Sequence, residues 1–156
     1  MPSPLEKLNI DKELACRFLA EFSRFEFAFK ATKFATLRKN GVVPDWEKFG
    51  ASIQGAFASI DDPNFIEASK YLKNFPPMKQ TLKDEKLTWI LVPQTKSTEE
   101  EILQSVRRVR NNLFHGGKYY LQSDPDRDRL LVEHSSIVLA FCLILDYVVK
   151  DAYENY

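Results

Sequence analysis

The chain has 156 residues, with 22 lysines and arginines balanced by 22 aspartates and glutamates, and a pI near 6.7. Neutrality excludes a protein that grips nucleic acid through its overall field, so any such contact has to be a local patch. Hydrophobic residues make up 44% and charged residues 28%, which predicts one globular domain over residues 1–156 with a sizeable core.

The first predicted helix covers 11–39. Leu14, Phe18, Phe22, Phe25 and Phe29 step along it at helical intervals and form one apolar stripe. Asn40-Gly41 is read as its terminator, with Pro44 beyond. A second helix is predicted over 46–60, with Asp45 as N-cap, and Asp61-Asp62-Pro63 breaks the pattern. A short helix follows over 63–73, and Phe75-Pro76-Pro77 opens a loop. Residues 87–92 favour an extended segment, either a short strand or a strap across the bundle. Ser97 and Thr98, each followed three residues later by a glutamate, form candidate capping boxes. The third long helix runs from there to His115, with Ile102, Leu103, Val106, Val109 and Leu113 as its core stripe. A polar loop is expected over 118–129, within which Asp124-Pro125 reads as an N-cap followed by proline at the first helical position. The last helix is predicted over 126–152. Its second half is apolar nearly all round, which places it centrally or in a subunit interface. The expected fold is an all-α, up-and-down bundle of four to five helices with one short extended segment near 87–92.

Cys16 and Cys142 fall in apolar helical stretches and read as buried free thiols rather than a disulfide. The first four residues lack the basic and apolar regions of a signal peptide. The longest apolar run, 137–149, contains Asp146 and is short for a bilayer. These features predict a cytoplasmic protein with no membrane segment.

The chemistry concentrates in Arg107-Arg108-Val109-Arg110-Asn111-Asn112-Leu113-Phe114-His115-Gly116-Gly117. Arginine is a permanent cation suited to phosphate oxygens, and histidine titrates near neutral pH. At 100° per residue, Arg110 falls about 40° from the centre of the helix stripe, while Arg108 points nearly the opposite way. An arginine at a core edge needs an acceptor or a cavity. His115 sits where Gly116 lets the backbone turn, beside uncapped carbonyls that favour imidazolium. Asn111, one turn earlier, can orient it or hold a phosphate oxygen. Tyr119 and Tyr120 offer stacking surfaces.

A purely structural reading stands beside this one. Arginines at a helix C-terminus suit the macrodipole, His-Gly is ordinary capping, and the spacing Arg-x4-His occurs a second time at Arg129 and His134. Glu26 flanks the first helix stripe and either pairs with Arg110 or is solvated. His134 reads as structural. Asp146 needs a partner, expected to be Arg or Tyr across an interface. Two histidines and two cysteines, scattered, outline no zinc site, and no glycine-rich phosphate loop is present.

The segment Arg110-Asn-Asn-Leu-Phe-His115-Gly-Gly, near a helix end and ahead of a final apolar helix, resembles the higher eukaryotes and prokaryotes nucleotide-binding (HEPN) superfamily. Those all-α bundles carry an Arg-x4-6-His motif whose first x is often polar, the position of Asn111. Phe22-Ser23-Arg24-Phe25-Glu26 is also similar to first helices of that superfamily. The resemblance implies a metal-independent endoribonuclease without cofactor. It implies a homodimer whose two motifs meet across a cleft, often a toxin or anti-phage component with a cognate antitoxin. Carried over by position, His115 acts as general base on the ribose 2′-OH or as acid to the leaving oxygen. Arg110 stabilises the transition state, and Asn111 positions His115 or the phosphate. Arg107, Asn112, Lys118, Tyr119 and Glu26 are the candidates for holding RNA. The products carry a 2′,3′-cyclic phosphate, and DNA is spared for want of a 2′-OH. Two other readings stay open: a noncatalytic HEPN bundle that binds a nucleotide or protein, and a helical adaptor whose Arg–His cluster only ends a helix.

Overall fold

The predicted phenylalanine stripe becomes the centre of the core. In the computed structural model, which describes residues 10–94, 96–115 and 124–156, helix α1 spans Lys12–Lys30 and buries Phe18, Phe22, Phe25 and Phe29. The Asp11 carboxylate accepts the Leu14 N–H at 2.8 Å, capping the helix start. Helix α1 stops at Lys30, well short of the expected 39. The remainder is a hairpin, β1 (Ala35–Arg38) paired antiparallel with β2 (Gly41–Pro44). Asn-Gly followed by two valines is a hairpin signal as much as a helix stop, and Gly41 takes φ +122° there.

Helix α2 (Trp46–Ser52) is capped by Asp45 as expected but ends early. Gly55 at φ +82° turns the chain into a separate 3-10 turn, Ala56–Ser59, so the continuous helix expected over 46–60 is two pieces. Trp46 is buried, stacked on Phe22 at 5.2 Å and on Phe25 at 5.6 Å. Helix α3 (Pro63–Asn74) follows prediction, with the Asp62 carboxylate accepting the Asn64 and Phe65 N–H groups.

The extended segment near 87–92 is a strand with a partner the sequence did not reveal. Strands β3 (Lys79–Lys83) and β4 (Lys86–Ile90) pair antiparallel, and Asp84 and Glu85 turn between them at φ 49° and 60°. The fold is therefore mostly helical with two small antiparallel sheets, not an all-α bundle.

Helix α4 (Thr98–Phe114) starts on a complete capping box between Ser97 and Glu100. Helix α5 (Pro125–Leu145) begins on Asp124 with proline in its first turn, so the polar loop ends earlier than 129. It is the central helix, packed against α1, α3 and α4. The single last helix expected over 126–152 breaks at Asp146, and α6 (Tyr147–Asn155) leaves at 113° to α5. Asp146 makes the break because its carboxylate accepts the Val148 and Val149 N–H groups at 3.0 and 3.1 Å, replacing helical bonds with a new N-cap. Its ionic partner is Lys33 at 3.6 Å within the same chain, not an arginine or tyrosine across an interface.

Cys142 is fully buried, and burial pushes its thiol pKa up. Cys16, expected in the core, is exposed on the solvent side of α1. No single helix among the described residues is long and apolar enough to cross a membrane.

Candidate functional site

The C-terminal half of α4 divides its polar residues between two neighbourhoods. Val106, Val109 and Leu113 face the core. On one side of that stripe, the helix and the start of β3 enclose a cleft of about 380 Å³. Gln104, Arg107, Arg108, Asn111, Asn112 and His115 line it from α4, and Lys79 and Gln80 from β3. Among the described residues lining it there is no carboxylate. Three permanent cations, a histidine and four amides make it an anion-binding surface on an otherwise neutral protein.

The cleft exists because the segment before β3 is strapped to the helices by side-chain donors. Arg108 Nη1 donates to the Pro77 carbonyl at 3.2 Å, Asn112 Nδ2 to Met78 at 2.9 Å, and Arg127 Nη2 from α5 to Pro76 at 3.0 Å. Three backbone carbonyls with no strand partner are thus satisfied by polar side chains. Burial pushes the Arg108 guanidinium pKa down, opposed by the charge of Glu101. Asn112 is buried and its amide is committed to the strap, so it shapes the cleft wall.

His115 is the C-cap of α4 and is exposed. Its backbone N–H closes the last turn on the Asn111 carbonyl at 2.8 Å, and its ring stands edge-on to Phe114 at 5.2 Å. Asn111 is exposed in the same cleft.

Arg110 goes elsewhere. Five residues before His115 on one helix, its side chain diverges from the histidine by about 140°. It lies on the α1 side, with Nη2 at 4.0 Å from Glu26 Oε2 and the guanidinium over the rings of Phe22 (5.4 Å) and Phe114 (5.2 Å). The other Glu26 oxygen accepts the Trp46 indole N–H at 3.1 Å. The expected pairing of Glu26 with Arg110 is therefore present, but outside the cleft. The two neighbourhoods are in contact: Arg110 Nη1 donates to Asn111 Oδ1 at 2.9 Å, and the guanidinium of Arg107, a cleft residue, lies over the Trp46 ring at 5.9 Å. Asn111 is a bridge from the arginine to the cleft.

The fold thus gathers His115, Asn111, Asn112 and Arg107, and sets Arg110 with Glu26 next door. Lys118 and Tyr119, and with them Tyr120, lie outside the described residues. Lys79, Gln80, Gln104 and Arg108 were not among the expected site residues. Extending the Asn111–His115 face back by whole turns reaches Gln104 and Arg108. No sequence signal points to Lys79 or Gln80, because they come from a strand docked by long-range bonds. Among the described residues no group of three or more His, Cys, Asp or Glu is placed to hold a metal ion.

The second Arg-x4-His pair is not a site. Arg129 grips Glu133 at 3.0 and 2.9 Å on the surface. His134 is buried against the Tyr71 ring at 4.7 Å. Comparison with protein families, with curated proteins and with solved structures finds no match for this chain.

Proposed function

We propose that this chain is a metal-independent endoribonuclease of HEPN type. The observation that carries the reading is an exposed histidine in a cleft with no carboxylate among its described lining residues, which also include Arg107, Arg108 and Lys79, with Arg110 linked to it through Asn111. Arg107 and Lys79 hold the RNA phosphates, and Asn111 offers an amide beside the reacting group. His115 takes the proton of a ribose 2′-OH. The 2′ oxygen attacks phosphorus, the bond to the 5′ oxygen breaks, and the leaving oxygen receives a proton from an imidazolium. The products are a 2′,3′-cyclic phosphate and a 5′-OH.

Arg110 points away from His115 on its own helix, so a second copy of the chain completes the site in this reading. A homodimer that juxtaposes the two helix ends brings each Arg110 toward the other copy's cleft, where it stabilises the phosphorane-like charge. Phe114, 64% exposed beside the motif, is the apolar side chain such a contact covers. In a cytoplasmic toxin or anti-phage role, a cognate antitoxin would act by closing the same cleft. A second reading, a noncatalytic HEPN bundle that binds a nucleotide or phosphate-bearing partner, draws on the same cleft and on Arg110 being held by Glu26.

The test is RNA cleavage by purified protein in EDTA, with His115→Ala as control. Cleavage by wild type alone, leaving 2′,3′-cyclic phosphate ends, is the expected result. RNA binding by both proteins with cleavage by neither favours the binding module, and equal cleavage by both overturns the role of His115.

A further inference from the structure

A second cavity lies at the other end of α4 from His115. It measures about 580 Å³ and is walled by the 3-10 turn, α3 and the first residues of α4, within the size range of small-molecule sites. Helix α4 has 17 residues, so roughly 24 Å separates this cavity from the helix end carrying the Arg–His motif.

Its construction is that of a ligand site with two halves. The deep half is apolar. Phe57, Phe65 and Ile102 are buried, the two rings meet edge-to-face at 5.0 Å, and Ile66 lines the cavity with them. Ile66 is 49% exposed, an apolar wall facing an open mouth. The outer half is cationic. Lys70 and Lys73 stand one helical turn apart on α3, and Lys73 Nζ donates to Thr98 Oγ1 at 3.3 Å, at the N-terminus of α4. The amides of Thr98 and Glu99 precede the first intrahelical bond of α4, where helix geometry favours negative charge.

The lining also contains one carboxylate, and its place decides the ligand's charge. Glu99 is 4% exposed, and its Oε1 accepts the Gly55 N–H at 2.9 Å and the Phe57 N–H at 3.3 Å. Those bonds tie the 3-10 turn to α4 and hold the apolar floor in place. With two lysines and one glutamate lining the cavity, the net formal charge is a single positive. A dianion leaves charge unbalanced against Glu99, and a neutral molecule leaves the lysines without a role.

We infer that this cavity binds a small amphipathic monoanion, an aryl or short acyl carboxylate. Its apolar body lies between Phe57, Phe65 and Ile66, and its carboxylate meets Lys70, Lys73 and the first turn of α4. The site is separate from the cleft of His115 and does not depend on the ribonuclease reading.

The test uses naphthoate as probe and naphthalenemethanol as its neutral counterpart, each titrated into the full chain and followed by amide chemical-shift mapping. Naphthoate is expected to shift residues 55–58, 65–74 and 97–102, and to bind at least about tenfold more tightly than the alcohol, the factor that one charge-assisted contact of about 1.4 kcal/mol supplies. Lys73→Glu is expected to remove that advantage. Ala58→Trp, a substitution at an exposed position on the cavity rim, is expected to fill the mouth and abolish binding while the melting temperature is kept. Absence of binding, shifts confined to other surfaces, or equal affinity for acid and alcohol each overturn the assignment.

Discussion

Arg110 and His115 on α4, and Arg129 and His134 on α5, have the same spacing and lie about 140° apart around their helices. On α5 the arginine is on the surface with Glu133 and the histidine is 7% exposed against Tyr71, its Nδ1 without a hydrogen-bond partner among the described residues. On α4 the order is reversed: the arginine is drawn onto Phe22 and Glu26, and the histidine is exposed. The difference lies in where each helix ends. His134 is followed by a further three turns of α5, in which Ser135, Val138, Leu139 and Cys142 are buried. His115 is the C-cap just past the end of its helix, beyond the core stripe. Four-residue spacing between Arg and His is therefore compatible with a packed core residue and with an open cleft residue, and the surrounding elements choose between them.

The largest separation between the two pairs is expected from the histidines. His115→Ala should lower RNA cleavage in EDTA by about 10²–10⁴-fold, the range for loss of a general acid–base group, with stability changed by no more than about 0.5 kcal/mol, as for an exposed position. Undiminished cleavage by that variant would remove His115 from the chemistry. Arg110→Ala should follow at about 10²–10³-fold, as expected for loss of a transition-state donor. Its ion pair with Glu26 is long and partly exposed, so the stability cost stays near or below about 1 kcal/mol. A fall in melting temperature that accounts for the whole loss of cleavage would instead make Arg110 structural.

His134→Ala should reverse that pattern, costing about 1–3 kcal/mol in denaturant unfolding while cleavage per folded molecule is unchanged. Burial lowers the His134 pKa from 6.5, with Glu67 and Glu133 opposing the shift and Arg129 adding to it. In the acid window below 6.5 the unfolded chain therefore binds the proton first, and stability drops as pH falls through it. His134→Phe, which keeps a ring against Tyr71, should flatten the slope in that window. A wild-type slope that survives in His134→Phe assigns it to other groups.

Smaller effects should come from the cleft wall and the surface pair. Arg107→Ala and Lys79→Ala should each weaken RNA binding across sequences and reduce the salt-dependence slope by about one. A slope unaltered in both variants would place RNA elsewhere. Arg129→Ala should shift stability by less than about 1 kcal/mol and leave RNA binding alone, marking the second Arg-x4-His as incidental.

Which features were legible in the sequence follows from how far apart their partners are. The caps at Asp45, Ser97 and Asp124 are legible in the sequence because each joins residues two or three positions apart, and the structure adds caps of the same local kind at Asp11 and Asp62. The Phe18–Phe29 stripe was readable because periodicity alone describes a buried face. The end of α1 was missed because Asn40-Gly41 stops a helix and turns a hairpin equally well. The break at Asp146 is not legible because an aspartate in an apolar run signals the need for a partner without saying where it lies, and here the amides two and three residues on supply it. The cleft was half legible: its α4 face shares one helical repeat, and its β3 face does not.

By itself the sequence determined the starts of α1 to α5, the aromatic core and a histidine at the end of α4, since all of these rest on local bonds and helical period. Only the tertiary structure decided which polar groups meet. Arg108, Asn112 and Arg127 reach Pro77, Met78 and Pro76 across sequence separations of 31, 34 and 51 residues. Those three bonds satisfy carbonyls that no strand pairs, and in doing so they set Lys79 opposite His115. No local propensity encodes that choice, because it depends on burial competing with hydrogen bonding once the core has closed.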